Sequence, residues 1–129
     1  LPLLETDIMD IIEAVWEEKL DALDIKWSDK SCACVVMASG GYPEKYETGK
    51  VISGLDENGQ CEGAFVYHAG TKLEDGKFLT AGGRVLGITA YGDTLKEALD
   101  TAYKAVDTIS FEKAHYRHDI GKKALSALK

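Results

Sequence analysis

The sequence predicts an α+β domain in which short, mostly antiparallel strands fill the middle of the chain and helices stand at both ends. Three observations carry that prediction. Twelve of the 13 glycines lie between Gly40 and Gly92, so the middle of the chain turns every few residues, as a sheet of short strands must. Upstream, Ile8, Ile11, Ile12 and Val15 recur at a helical period. Downstream, Leu95, Ala98, Leu99, Ala102, Val106 and Ile109 do the same over a longer span. At 129 residues the chain is one domain's worth, with enough material for a core.

Taken in order, Thr6 to Leu20 reads as an amphipathic helix with acids on its polar face and Trp16 widening the apolar stripe. Asp21 to Ile25 is a short linker. Ser31 to Ser39 is a near-continuous apolar run of strand length, the pattern of a strand covered on both faces, and the first helix is expected to pack on one of them. Ser39 to Gly49 is a loop by composition, with paired glycines, a proline and a further glycine. Its eleven residues exceed the usual ~4–6 of a connection, and long loops in compact domains are often functional. Lys50 to Ser53 is a short strand, Asp56 to Gly59 supplies the Asn-Gly hairpin signal, and Gly63 to Gly70 is the next strand. Glu74 to Lys77 is a tight turn into Lys77-Phe78-Leu79-Thr80. Gly82-Gly83-Arg84 then opens a strand whose Val85, Ile88 and Thr89 suit a half-buried pleated surface. Thr94-Leu95-Lys96-Glu97 is a capping box, each side chain satisfying an exposed helix N–H, and the packing helix it starts runs to Ile109. Asp119 stands where it would cap a last short helix through Leu128.

Composition narrows the function classes. With 45% hydrophobic and 29% charged residues the chain falls among ordinary globular domains. No apolar run approaches the ~20 residues that span a bilayer, and the N-terminus has no basic-then-apolar secretory pattern. It opens Leu1-Pro2-Leu3-Leu4 without a methionine, which reads as a piece of a longer chain. A net charge of −7 argues against a nucleic-acid or anionic-membrane surface. The charge is uneven: residues 1–24 carry eight acids against Lys19, and residues 110–129 carry five Lys or Arg against two acids. Solvated faces are the first reading of both, complementary docking the second. Three cysteines cannot all pair, and Cys32-Ala33-Cys34 with distant Cys61 and His68 is poor metal spacing. Buried, reduced thiols in a cytoplasmic protein are expected.

The chemistry-bearing residues sit in glycine-rich loops. Gly82 and Gly83 lack Cβ, so backbone can bend there or let a ligand approach closely, and Arg84 offers a planar fork matched to phosphate or carboxylate. The 39–49 loop adds Lys45, Tyr42 and Tyr46, which could meet an anion or a sugar ring. His68 lies at a strand end beside Gly70 and Thr71. Each has a structural reading too: a glycine bulge with Arg84 in a surface ion pair, a plain strand connection, a hydrogen-bonding histidine. His115, Arg117 and His118 are either an anion site or an exposed basic tail. Walker-type phosphate loops, nucleophile elbows and zinc-protease motifs are absent.

Cys34 to Pro43 with Tyr46, His68-Ala69-Gly70-Thr71-Lys72, Gly82 to Gly87, Ser110-Phe111-Glu112 and His115 to Gly121 together resemble the phosphoribosylamine–glycine ligase family. The resemblance runs in order over essentially the whole chain. It implies an ATP-grasp ligase of de novo purine synthesis, in which ATP phosphorylates the glycine carboxylate and the amine of 5-phosphoribosylamine attacks the acyl phosphate. Leu1 to Leu4 with Asp7 is similar to the family's chain just after its magnesium-binding segment. On that resemblance, residues 1–24 are expected to be the terminal helix of the preceding ATP-grasp lobe. Residues 25–129 are expected to be the C-terminal domain, a β-rich module related to a barrel-sandwich hybrid. ATP and magnesium would be bound mainly upstream of Leu1, so the isolated chain is expected to hold neither and to be inactive. Its partners would be the small-molecule substrates 5-phosphoribosylamine, glycine and ATP, and the N-terminal and ATP-grasp lobes. Gly40, Gly41, Lys45, His68, Gly70, Thr71, Gly82, Gly83 and Arg84 are expected to line the phosphoribosylamine side of the site, with no residue here assigned a catalytic or metal-ligating role. The alternative is a stand-alone carrier or interaction module of barrel-sandwich type. Lys77, after Asp75-Gly76, is the candidate for a modified carrier lysine, but it reads as the start of a strand.

Overall fold

The computed structural model describes residues 1–128. Along the chain come α1 (Ile8–Trp16), a 3-10 turn (Leu20–Ala22), β1 (Ser31–Ala38), β2 (Phe65–His68), β3 (Thr71–Glu74), β4 (Lys77–Thr80), β5 (Arg84–Gly92), α2 (Leu95–Thr108) and α3 (Lys122–Ala127). β5 is the centre of an antiparallel sheet ordered β1-β5-β2. Its β-branched and apolar residues place Val85, Leu86 and Ile88 wholly out of solvent. Val35, Met37, Val66 and Ile88 form the sheet's inner face and pack under α2, which meets them with Ala102, Ala105 and Val106. Small residues at that seam let the helix lie close, and each large side chain buried there contributes about 1.5–3 kcal/mol. The capping box forms as the sequence predicts: Thr94 Oγ1 accepts from the Glu97 N–H, and the Glu97 carboxylate accepts from the Thr94 and Asp93 N–H groups.

β3 and β4 make a separate hairpin, closed by Asp75 and Gly76. Both residues have positive φ (49° and 72°), which a two-residue turn matched to strand twist requires. Lys77 opens β4, as expected. The α+β class and the antiparallel pairing follow the sequence prediction. Along the outer edge of β2 the Gln60 side chain takes the place of a neighbouring strand: its Oε1 accepts from the Val66 N–H and its Nε2 donates to the Val66 carbonyl, both at 2.9 Å.

Several expectations change. α1 does not cover β1: it buries none of its residues, lies beside the 3-10 turn, and leaves Met9, Ile12 and Val15 more than half exposed. The helix is also shorter than expected, because Glu18 adopts a left-handed φ of 57° and turns the chain. β1 is covered on one face only, by α2. Ala33, Val35 and Met37 point inward while Cys34 and Val36 are exposed. The apolar run hid this alternation because the outward residues are apolar as well. The thiols are unpaired but not uniformly buried: Cys34 is exposed, and Cys32 and Cys61 are half-buried, enough for desolvation to raise both of their pKa values. Residues 50–53 form single bridges, Val51 to Leu79 and Ser53 to Ser110, instead of a strand. The 56–60 turn closes through Asp56, whose carboxylate accepts from Asn58 and Gln60 N–H groups, but its flanks do not pair with each other. The strand expected over 63–70 is the shorter β2. α3 begins behind Gly121 without a side-chain cap, since the Asp119 carboxylate is taken by Arg117.

Candidate functional site

The end of β1, the end of β2 and the turn between β4 and β5 converge on an open groove with a volume of ≈ 650 Å³. Residues 81–84 are held from two sides. Ser39, only 2% exposed, donates its N–H to the Gly83 carbonyl and its Oγ to the Gly82 carbonyl, each at 2.8 Å. On the other side Ala81 N–H donates to the Gly70 carbonyl, and Ala69 and Gly70 N–H groups reach the Val85 carbonyl. Gly70 and Gly82 meet backbone to backbone. A Cβ on Gly70 would stand 2.6 Å from the Arg84 carbonyl oxygen and 2.9 Å from the Gly82 Cα, so the close approach requires a residue without one.

Arg84 leaves this turn on the groove's rim. It is exposed, and among the described residues its guanidinium makes no ion pair or hydrogen bond. The N–H groups of Gly82 and Gly83 likewise donate to no oxygen among the described residues. Val36, Tyr67 and Gly87 form an apolar floor that continues along the outer face of the sheet, and Tyr42 and Tyr46 flank the glycines. The arrangement suits a small anion with an attached ring: a planar cation and unpaired backbone donors at one end, apolar and aromatic surface beside them.

Of the nine residues singled out from the sequence, Gly70, Gly82, Gly83 and Arg84 line this groove. His68 points elsewhere. Its Nδ1 meets the Thr71 hydroxyl and its Nε2 the Gly59 carbonyl, both at 2.8 Å, and its ring lies against Phe78. His68 and Thr71 therefore use their polar atoms on each other and on the 56–60 turn. Gly40 packs against Lys113, Gly41 sits in an exposed turn, and Lys45 is exposed outside the groove lining. Tyr67 and Val36 line the groove as well, beyond the residues the sequence singles out. The alternation of Phe65 and Tyr67 around inward Val66 is the signal that points to them.

Two further charged clusters lie outside the groove. Lys50 bridges Glu47 (3.3 Å) and Glu112 (3.1 Å), stapling the base of the 39–49 loop to the segment after α2. Hydrogen bonding to Lys50, joined by the Lys113 charge, lowers the Glu47 pKa, while Glu112 and Glu47 raise that of Lys50. Arg117 is committed to Asp119 through two 2.8 Å bonds, which lower the Asp119 pKa, and His118 lies over the Tyr116 ring. Among the described residues no group of three carboxylate, imidazole or thiol side chains converges as metal ligands would.

Comparison with known proteins gives this geometry its context. A phosphoribosylamine–glycine ligase of Caldanaerobacter subterraneus subsp. tengcongensis is 53% identical over 120 residues, which is 93% of this chain and 28% of that protein. A bifunctional purine biosynthetic protein of Dictyostelium discoideum is 46% identical over 99% of this chain and 16% of its own length. The crystal structure of a phosphoribosylamine–glycine ligase from Thermotoga maritima superposes with a TM-score of 0.67 at 32% identity, covering 84% of this chain and 27% of that one. The chain thus spans less than a third of the length of these relatives. The family model described as phosphoribosylglycinamide synthetase, C domain, matches residues 32–123, from the start of β1 into α3, taking in the whole groove. The chain belongs to the phosphoribosylglycinamide synthetase C-domain family.

Proposed function

We propose that this chain is the C-terminal domain of a phosphoribosylamine–glycine ligase and that its groove receives the phosphate of 5-phosphoribosylamine on Arg84. The observation that carries the reading is the state of Arg84: exposed on a rigid strand end, without an ion-pair partner among the described residues, beside two glycine N–H groups that are equally unengaged. In the ligase reaction glycine's carboxylate becomes an acyl phosphate and the phosphoribosylamine nitrogen displaces phosphate from it. This chain's share is to hold the phosphosugar so that its amine faces the acyl phosphate, a positioning role. ATP and magnesium belong in this reading to the remainder of a longer polypeptide, and the chain alone is expected to show no ligase turnover.

The same reading takes residues 1–24 as the terminal helix of the preceding ATP-grasp lobe and residues 25–129 as the C-terminal domain. Support comes from the uncovered apolar residues of α1 and of the sheet's outer face, surfaces suited to contact with those lobes. The two antiparallel sheets, with Val51 bridged to the hairpin at Leu79, support a barrel-sandwich-hybrid description. The unpaired thiols agree with a reducing, cytoplasmic setting.

Arg84→Ala in the full-length ligase tests the assignment. Hydrogen bonds to charged groups contribute roughly 1.5–3 kcal/mol, so use of phosphoribosylamine should fall about 10- to 150-fold while ATP and glycine KM values hold. Arg84→Lys recovers only part, because a point charge does not reproduce a fork. Unchanged phosphoribosylamine kinetics with a lowered Tm would make Arg84 a structural residue and end this reading.

A further inference from the structure

We infer that Tyr42 is the positioning residue for Arg84: its ring, seated on Gly83, fixes the turn from which the guanidinium enters the groove. The inference rests on the reading of Arg84 given above. Arg84 makes no polar contact of its own among the described residues, so its placement comes from the backbone that carries it. Gly83 is buried and its φ lies outside the left-handed region, so the backbone conformation does not demand glycine there. The tyrosine does. A Cβ on Gly83 would collide with Tyr42 Cδ2 and would stand 2.8 Å from its Cε2 and 3.0 Å from Tyr46 Cε1.

Ring and turn are also joined through the chain itself. Tyr42 N–H donates to the Ser39 carbonyl at 3.1 Å, and Ser39 grips the Gly82 and Gly83 carbonyls. Ser39 thus holds the carbonyl side of the turn while the Tyr42 ring closes the α-carbon side. The Tyr46 ring borders Gly83 beside it, its centroid 6.2 Å from that of Tyr42 and its plane tilted by 59°. The Tyr42 hydroxyl has no hydrogen bond among the described residues, which assigns the role to the ring.

Substitutions in the full-length ligase separate this from other roles. Tyr42→Ala should raise the phosphoribosylamine KM roughly tenfold, less than the ~100-fold that a 1 Å misplacement can cost, with the KM values for ATP and glycine unmoved. Tyr42→Phe keeps the ring and restores the KM. Gly83→Ala pushes the ring off its seat from the other side and reproduces the shift with the tyrosine intact. In an Arg84→Ala background Tyr42→Ala adds nothing, because the group it positions is gone. A shift that Tyr42→Phe fails to restore, or one that persists undiminished without Arg84, overturns the inference. If Arg84→Ala itself has no effect, it is the reading of the groove that has failed. The inference is then read from a crystal structure of the Tyr42→Ala protein, in which the 81–84 turn is displaced; an unmoved turn overturns it.

Discussion

Gly70 and Gly82 press bare α-carbons together at the back of the groove, and the contact is backbone against backbone. Nothing there can swing aside, unlike the end of a flexible side chain. Gly70→Ala is therefore expected to cost about 1–3 kcal/mol of stability, the range for forcing extra atoms into a packed site, read as a lower denaturant midpoint at constant m-value. A midpoint equal to the parent's would mean that the 69–71 and 81–84 segments separate freely. At this scale the sequence was half legible. The clusters of glycine around Arg84 announced a close approach, but not that the partner of Gly82 would be a glycine twelve positions earlier. His68 is the sharper case. Its place at a strand end beside Gly70 admits both a ligand-facing and a structural reading, and the decision rests on Gly59 and Phe78, brought to it only by the folded chain.

Among the elements, the 39–49 loop depends on charges at its base as well as on its own turns. Lys50 sits between Glu47 and Glu112, and because the Glu47 pKa is lowered in the fold, that contribution is whole above its ordinary value of 4.5. It is lost as the pH falls through the lowered folded value. Lys50 works in the opposite sense: raised above 10.5, its contribution is whole below that pH and disappears only in stronger base. Amides of residues 41–49 should therefore gain exchange beyond the intrinsic pH effect on moving from about pH 6 to about pH 3.5, and Glu112→Gln should do the same at neutral pH. Both effects should be modest, as exposed pairs are, and weaker in salt. Protection that ignores acid, salt and substitution alike would place the loop's order in its backbone. The legible elements are those specified locally. Thr94 and Glu97 are three residues apart, so α2's start could be read directly. The one-sidedness of β1 could not, since Cys34 and Val36 are as apolar as their inward neighbours. Asp119 stands where a cap would, but Arg117 two residues away offers its carboxylate a stronger partner.

For the whole molecule, the class was legible because glycine spacing and two amphipathic stripes are properties of the chain itself. The order β1-β5-β2 was not, because β1 and β5 meet across the 45 residues between Ala38 and Arg84 and no local pattern encodes that choice. The uneven burial makes a prediction at this scale. The hydrogen-bonded amides of β1, β5 and α2 should exchange only with global unfolding, while residues 1–24, whose helix buries nothing, should exchange through local opening in the isolated chain. Equal protection of α1 and the sheet would show that the first helix is part of the cooperative core. The Gln60 side chain has a consequence beyond its two hydrogen bonds. A primary amide carries the same carbonyl and N–H pair as a peptide unit, so at Val66 the outer edge of β2 meets a counterfeit strand one residue long. A second chain arriving to extend the sheet finds that rung already occupied. At its β2 edge the domain can thus leave apolar sheet surface open to a neighbour while blocking one rung of the backbone template on which ordered aggregates grow.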